Sequence, residues 1–151
     1  MKNSVNIGII GLGCRGASMA EVMAKMEDIN ILAVCDKYQD RVDDMIKKLV
    51  DKGRPAPMGT LDYNEVLDMP GLDTVYIATD WECHVKIAIE SMKKGIPAAM
   101  EVGGAYTLDE CWELVKTYEE TGVWTMMMEN CCYGEREMMV LNMVREGVLG
   151  D

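Results

Sequence analysis

The chain has 151 residues, 49% of them hydrophobic and 27% charged, which suits a single domain with an ordinary hydrophobic core. The formal net charge of −11 argues against binding to nucleic acid or to anionic membrane surfaces, because their phosphate groups would be repelled. No run of about 18 apolar residues is present, and no signal-peptide pattern precedes the first predicted strand. We therefore expect a cytoplasmic protein that does not enter the membrane.

The first predicted strand, residues 5–10, is followed by a Gly-x-Gly-x-x-Gly turn and a helical pattern over residues 17–26. Gly11 permits a tight turn between strand and helix, and Gly13 has no side chain to keep a pyrophosphate away from the backbone. Gly16 lets the helix pack closely on the strand, and the helix N-terminus offers free N–H donors to phosphate. In this context the pattern predicts a dinucleotide site. The alternative is a flavodoxin-like turn without a nucleotide.

A second predicted strand, residues 29–35, ends in an acidic residue, Asp36. This residue lies 20 positions after Gly16, where the dinucleotide-binding fold places a carboxylate against the 2′-hydroxyl of the adenosine ribose. An aspartate there favours NAD over NADP, because it would repel a 2′-phosphate. Asp36 is therefore a candidate cofactor-binding residue.

The rest of the chain alternates between helical and strand patterns. Helices are predicted over residues 40–52, 62–67, 81–94, 108–121 and 135–145, and strands over residues 56–58, 73–78, 97–100 and 123–128. This alternation predicts βαβ units with right-handed crossovers. We expect a doubly wound parallel α/β sheet of the Rossmann type, with six strands in the order 3-2-1-4-5-6.

In such sheets ligands bind outside the carboxyl ends of the strands, where the strand order reverses between strands 1 and 4. Several polar or aromatic residues fall at these ends. Thr79 and Trp81 follow the fourth predicted strand, Glu101 follows the fifth, and Asn130 follows the sixth. The sequence therefore predicts that these residues share one cleft with the glycine turn.

The cysteines and the single histidine do not form a metal-binding pattern. The six cysteines are Cys14, Cys35, Cys83, Cys111, Cys131 and Cys132, and none is part of a Cys-x-x-Cys pair. A zinc site needs four convergent nitrogen or sulfur ligands, so we expect no metal. We expect reduced thiols that pack as small hydrophobic side chains.

The glycine turn, Asp36, the helix that carries His84, Glu101 and the closing Val-Arg-Glu-Gly-Val-Leu-Gly of residues 144–150 resemble the glucose–fructose oxidoreductase and inositol dehydrogenase (MocA) superfamily. The resemblance extends over essentially the whole chain but covers only the N-terminal half of that superfamily. It implies that residues 1–151 form the dinucleotide-binding domain. It also implies that the C-terminal substrate domain of the family is absent from this chain.

Finer motifs are similar to the NAD-dependent glycoside hydrolases of the α-N-acetylgalactosaminidase type. They are Thr79-Asp80-Trp81-x-x-His84, Glu101-Val102-Gly103-Gly104-Ala105, Thr107-Leu108-Asp109-Glu110-Cys111-Trp112 and Glu129-Asn130-Cys131-Cys132-Tyr133. NAD-dependent hydrolysis is an exception to the usual two-carboxylate mechanism. The resemblance implies transient oxidation of the sugar at C3, loss of the C2 proton, departure of the C1 group, addition of water and return of the hydride.

The resemblance also implies roles for individual residues. The candidate cofactor-binding residues are Gly11, Gly13, Cys14, Arg15, Gly16, Asp36, Thr79, Trp81, His84, Glu101 and Asn130, and NAD is the expected cofactor. Glu101 is expected at the nicotinamide ribose, while Trp81 and His84 can equally be packing residues. Tyr133 is the candidate catalytic acid or base on this half, with a packing role as the alternative.

The sugar substrate and the base that removes the C2 proton are expected to need the missing domain, so this chain alone should bind NAD without turnover. Apolar residues that would face that domain, Tyr133, Met138, Met139, Val148 and Leu149, are expected to be exposed and to favour association, including homo-oligomers.

Two other functions remain open at this level. The first is an NAD-dependent sugar or polyol dehydrogenase that releases NADH. Many sugar dehydrogenases of the superfamily carry Glu-Lys-Pro with a catalytic lysine, and Val102 in place of that lysine argues against this function. The second is a non-catalytic nucleotide-binding module.

Overall fold

The structure is a computed structural model that describes residues 4–150. Its strands are β1 (Val5–Ile10), β2 (Ile29–Cys35), β3 (Met58–Thr60), β4 (Thr74–Ile77), β5 (Ala98–Glu101) and β6 (Thr125–Met128). They form one parallel sheet in the order β3-β2-β1-β4-β5-β6. The predicted fold class and strand order are confirmed.

Six helices connect and follow the strands. They are α1 (Cys14–Met23), α2 (Gln39–Asp51), α3 (Tyr63–Leu67), α4 (Trp81–Lys93), α5 (Leu108–Thr121) and α6 (Glu135–Arg145). The bounds of α5 and α6 agree with the prediction. Thr107 and Glu110 form the capping box that begins α5, and Gly122 ends it with a positive φ of 68°.

Several other predicted bounds differ from the structure by one to three residues, and the differences at α1 and β3 have a clear physical reason. Helix α1 begins at Cys14 instead of residue 17, because Gly13 already serves as its N-cap. Strand β3 covers Met58–Thr60 instead of residues 56–58. Its position is set by pairing with Ala33–Cys35 of β2, and Pro57 has no N–H for the sheet ladder.

The core lies on both faces of the sheet, because successive strand residues point to opposite sides. On one face Ile9, Val34 and Tyr76 pack with buried residues of α1 and α2. On the other face Val75 and Ile77 pack with residues of α3 and α4. Burial on both faces fits the near-continuous apolar runs of the parallel strands.

The C-terminal helix contributes no buried side chain. Tyr133 in the preceding loop is 91% exposed, and the apolar residues Met138, Met139, Val148 and Leu149 are exposed as well. Met138, Met139 and Val148 line one open groove at this end of the domain. Among residues 4–150 no helix combines the length and the apolar character that crossing a bilayer requires.

The six cysteines are free thiols, but most do not pack as hydrophobic residues. Cys35 is buried, which raises the pKa of its thiol to about 12. Cys83 is half-buried, and the other four are exposed, so the packing prediction is wrong for them. Whether these four thiols are covered depends on how α1, α5 and the loop after β6 pack against other elements, which the local sequence does not show.

Within the described part of the chain no three His, Cys, Asp or Glu side chains are grouped to hold a metal ion.

The turn between β1 and α1 has room only for glycine at two positions. Gly11 has a φ of 95°, and a Cβ there would lie 2.5 Å from the carbonyl carbon of Ala78. A Cβ at Gly16 would overlap the carbonyl oxygen of Gly11. Gly13 is different, because a Cβ there would approach only Arg41, at 3.9 Å. The close approach of α1 to the turn after β1 therefore depends on Gly16, and the passage of that turn against Ala78 depends on Gly11.

This difference gives a stability prediction. Gly16→Ala should lower the free energy of unfolding by about 1–3 kcal/mol, because the added methyl group forces the helix away from the strand. For a domain of this size that corresponds to a Tm lower by roughly 3–10 °C. Gly13→Ala is the matched control and should leave the Tm nearly unchanged. Equal Tm values for the two variants would show that α1 does not approach β1 as described.

Candidate functional site

The N-terminus of α1 points to the carboxyl edge of the sheet. The first bond of the helix runs from the N–H of Ala17 to the carbonyl of Gly13, at 2.9 Å. The N–H groups of Cys14, Arg15 and Gly16 therefore precede the helical ladder and are donors for an anion. Because nothing but Arg41 lies within 4 Å of a Cβ built on Gly13, a side chain at this position would occupy open space in front of these donors.

Asp36 joins the end of β2 to the glycine turn. Its side chain is buried, and Oδ2 accepts a hydrogen bond of 2.7 Å from the N–H of Leu12. Oδ1 accepts from the N–H of Tyr38 at 3.1 Å, and the Arg41 guanidinium lies 3.4 Å from Oδ2. The sequence predicted a cofactor role for Asp36 but not its contact with Leu12. The carboxylate thus also holds the glycine turn in place.

A cleft of about 430 Å³ runs beside Asp36 along the carboxyl edge. Gly11, Gly13 and Thr79 line it together with side chains from β2, α2 and the loop after β3. The Arg41 guanidinium stacks over the Tyr38 ring, 4.6 Å from its centroid. The exposed side chain of Leu61, in the loop after β3, also lines the cleft. A cleft with flat aromatic and aliphatic walls beside a buried carboxylate suits a purine nucleoside.

A second polar cluster lies at the ends of β4, β5 and β6. Glu101 accepts two hydrogen bonds at Oε1, one from Arg15 Nε at 2.8 Å and one from the hydroxyl of Tyr76 at 2.7 Å. Arg15 Nη2 donates to Oδ1 of Asn130 at 2.9 Å. The structure therefore brings together three predicted cofactor residues, Arg15, Glu101 and Asn130, at the first turn of α1.

Glu101 is ionised in this setting. Burial raises the pKa of the carboxyl group, but the hydrogen bonds from Tyr76, Arg15 and the backbone of Val102 and the charge of Arg15 outweigh burial and leave the pKa below its usual value. Glu101 is therefore a hydrogen-bond acceptor at neutral pH. Its two side-chain donors both bind Oε1, and no side chain among the described residues donates to Oε2.

Trp81 stands at the start of α4 with its ring half open to solvent. The indole meets Tyr106 edge-on, with ring centroids 6.3 Å apart, and it lies on Gly103, where any Cβ would overlap it. Gly103 also has a φ of 101°, so the glycine is required at this position. Thr79 lines the cleft and donates its hydroxyl to the carbonyl of Asp80.

His84 is buried beneath the carboxyl edge, with 1% of its surface exposed. Nε2 lies 3.2 Å from the carbonyl oxygen of Thr79 and must donate to it, since a carbonyl can only accept. Nδ1 is buried without a hydrogen-bond partner among residues 4–150. Burial lowers the pKa of the imidazole, although the nearby carbonyls and carboxylates oppose this.

Tyr133 is not brought to the cluster. No hydrogen bond within the described chain ties it to Glu101, Arg15 or Asn130, and its ring is almost fully exposed. Two residues before it, Cys131 has a positive φ of 64°. A catalytic role for Tyr133 stays a prediction.

Tyr76 belongs to the site although the sequence did not predict it. The residue reads as a buried strand former, but a buried tyrosine hydroxyl needs a partner. In the register of β4 and β5, Tyr76 lies opposite Ala99, and Glu101 is two residues further along the same face. A tyrosine in an otherwise apolar run beside a strand that ends in glutamate was therefore the available signal.

The fold and the cleft define a dinucleotide-binding Rossmann domain. The sequence matches the oxidoreductase family with the NAD-binding Rossmann fold (GFO/IDH/MocA) over residues 5–129, and the chain belongs to this family. The family membership confirms the expected superfamily and NAD as its cofactor.

Curated relatives with similar sequences are glycosidases. The chain is 43% identical to a glycosyl hydrolase family 109 protein from Shewanella sp. (strain MR-4), covering 97% of this chain and 33% of that protein. It is 42% identical, with the same coverage, to an alpha-N-acetylgalactosaminidase from Shewanella oneidensis. The chain thus spans about a third of the length of the curated relatives it matches.

Solved structures share the fold at low sequence identity. An apo scyllo-inositol dehydrogenase from Lactobacillus casei superposes with a TM-score of 0.88 at 17% identity, covering 100% of this chain and 44% of that one. The same enzyme with bound NAD(H) and scyllo-inositol gives a TM-score of 0.88, also at 17% identity, with 98% and 43% covered.

The single histidine allows a pH prediction. Because the pKa of His84 is lower in the folded chain than its ordinary value of 6.5, the unfolded chain binds the proton more readily. Stability from this residue is complete above about pH 6.5 and is lost as the pH falls from there toward the folded pKa. We expect the free energy of unfolding in urea to decrease between pH 7.5 and 5.5, and the decrease to vanish in His84→Gln. An NMR titration midpoint of the imidazole at or above 6.5 would contradict this.

Proposed function

We propose that this chain is the cofactor domain of an NAD-dependent glycosidase. Its dinucleotide lies along the carboxyl edge of the sheet. This placement is supported by two fixed carboxylates. Asp36 is bonded to Leu12 in the glycine turn, and Glu101 is bonded to Arg15 in the first turn of α1. Between them stand the free N–H groups at the start of α1. Two carboxylate acceptors with an anion site between them match a dinucleotide, in which a pyrophosphate links two riboses.

In this proposal the pyrophosphate lies against Gly13 and the N–H groups of Cys14 and Arg15. Asp36 accepts from the adenosine ribose, beside the cleft with Tyr38 and Arg41. Glu101 and Asn130 lie at the nicotinamide ribose, as the sequence predicted. Arg15, which contacts both of these side chains, keeps them at the start of α1.

The glycosidase assignment is supported by two features. The curated relatives at 42–43% identity include an alpha-N-acetylgalactosaminidase. Val102 follows Glu101 where many sugar dehydrogenases of the superfamily have a catalytic lysine. Bound NAD supplies a reversible hydride acceptor. The chain's own residues bind and orient it, and we propose that the base acting on the sugar C2 proton lies outside these 151 residues.

The cofactor placement is tested by titrating the chain with NAD in a calorimeter. The unaltered chain should bind NAD, and it should bind NADP more weakly because the 2′-phosphate meets Asp36. Gly13→Val should lose detectable NAD binding while its circular dichroism and Tm stay close to those of the unaltered chain, because the side chain projects into the cleft and not into the core. Normal NAD binding by Gly13→Val would place the phosphate site elsewhere.

The reaction type is tested with the longest polypeptide that the gene encodes. We expect it to cleave an aryl α-N-acetylgalactosaminide without net formation of NADH, and to exchange the C2 hydrogen of the sugar with solvent deuterium. Net accumulation of NADH with a sugar or polyol would instead establish a dehydrogenase. NAD binding without either reaction would support a nucleotide-binding module.

A further inference from the structure

Tyr76 lies on β4, in the middle of the sheet. Its hydroxyl group donates a hydrogen bond to Glu101. The side chain has no exposed surface and packs in the core cluster of α1 and α2. A phenylalanine would fill the same apolar space. What the tyrosine adds is its hydroxyl group, which donates a hydrogen bond of 2.7 Å to Oε1 of Glu101 at the carboxyl edge.

The two hydrogen bonds at Oε1 determine what Glu101 can still do. Oε1 accepts from Tyr76 on the core side and from Arg15 on the α1 side, and only 12% of the Glu101 side chain is exposed. One carboxylate oxygen has about two acceptor sites, so the protein fills those of Oε1. Both side-chain donors bind Oε1, and none among the described residues donates to Oε2, which therefore keeps acceptor capacity for an external donor.

We propose that Tyr76 is a positioning residue for cofactor binding. It fixes Glu101 in the rotamer that offers Oε2 to the ribose hydroxyls on the nicotinamide side. This inference rests on the proposed function, because it takes the nicotinamide ribose as the partner of Glu101. The adenosine side, with Asp36, is not touched by Tyr76.

The charged and titratable groups around Glu101 agree with this role. Arg15 from α1 and Tyr76 from β4 both lower the pKa of the carboxyl group, and burial raises it. The negative charge of Glu101 acts to raise the pKa of His84 on α4, against the larger lowering by burial. Burial, together with Glu101, raises the pKa of the Tyr76 phenol, so the hydroxyl keeps its proton and remains a donor.

The test compares ligands that contain different parts of the cofactor. Tyr76→Phe should raise the Kd of NAD and of ADP-ribose by about three- to tenfold, the size expected for one ordinary hydrogen bond, because the lost bond affects binding only through Glu101. The Kd of ADP, which lacks the second ribose, should stay unchanged. Tyr118→Phe, which removes an exposed hydroxyl on α5, is the matched control and should change none of the three Kd values.

A double-mutant cycle completes the test. In a Glu101→Gln background, the effect of Tyr76→Phe on NAD binding should be much smaller than in the unaltered chain, because the hydroxyl acts through the carboxylate. An unchanged Kd for NAD in Tyr76→Phe, or an equal loss for NAD and ADP, would overturn the positioning role while leaving the cofactor domain intact. Failure of the unaltered chain to bind NAD would overturn the proposed function, and this inference with it.

Discussion

The site depends on one steric constraint, the contact between the backbone of Gly11 and the α-carbon of Gly16. Because neither position tolerates a Cβ, α1 begins immediately after β1 and its N-terminus stays at the carboxyl edge. The hydrogen bond from Leu12 to Asp36 ties this turn to β2. The bond from Arg15 to Glu101 ties the first turn of the helix to β5. One backbone contact thus positions the free N–H groups at the start of α1 and both carboxylates.

The local charge at the carboxyl edge differs from the strongly negative net charge of the whole chain. A domain of net charge −11 should repel a dinucleotide, which carries phosphates. Locally, the start of α1 and the guanidinium groups of Arg15 and Arg41 offset the acidic residues. Asp36 and Glu101 are each paired with donors, Asp36 on both oxygens and Glu101 on Oε1, so neither carboxylate stands as a free charge at the edge.

The sequence predicted the sheet order and most elements because glycine turns, capping boxes and hydrophobic periodicity are local signals. It placed β3 two residues early, since the true position is decided by pairing with β2. It missed the role of Tyr76, because Glu101 becomes its neighbour only through the register of β4 and β5. The predicted site residues at strand ends do share an edge, whereas Tyr133 stands apart in a loop whose course no local pattern defines.

The most direct measurement of the central claim is a crystal structure of this chain with NAD. We expect the pyrophosphate within hydrogen-bond distance of the N–H groups of Cys14 and Arg15. The adenosine ribose should lie on Asp36, and the nicotinamide ribose should lie on Oε2 of Glu101. A dinucleotide bound away from the glycine turn, or one whose riboses contact neither carboxylate, would contradict the account.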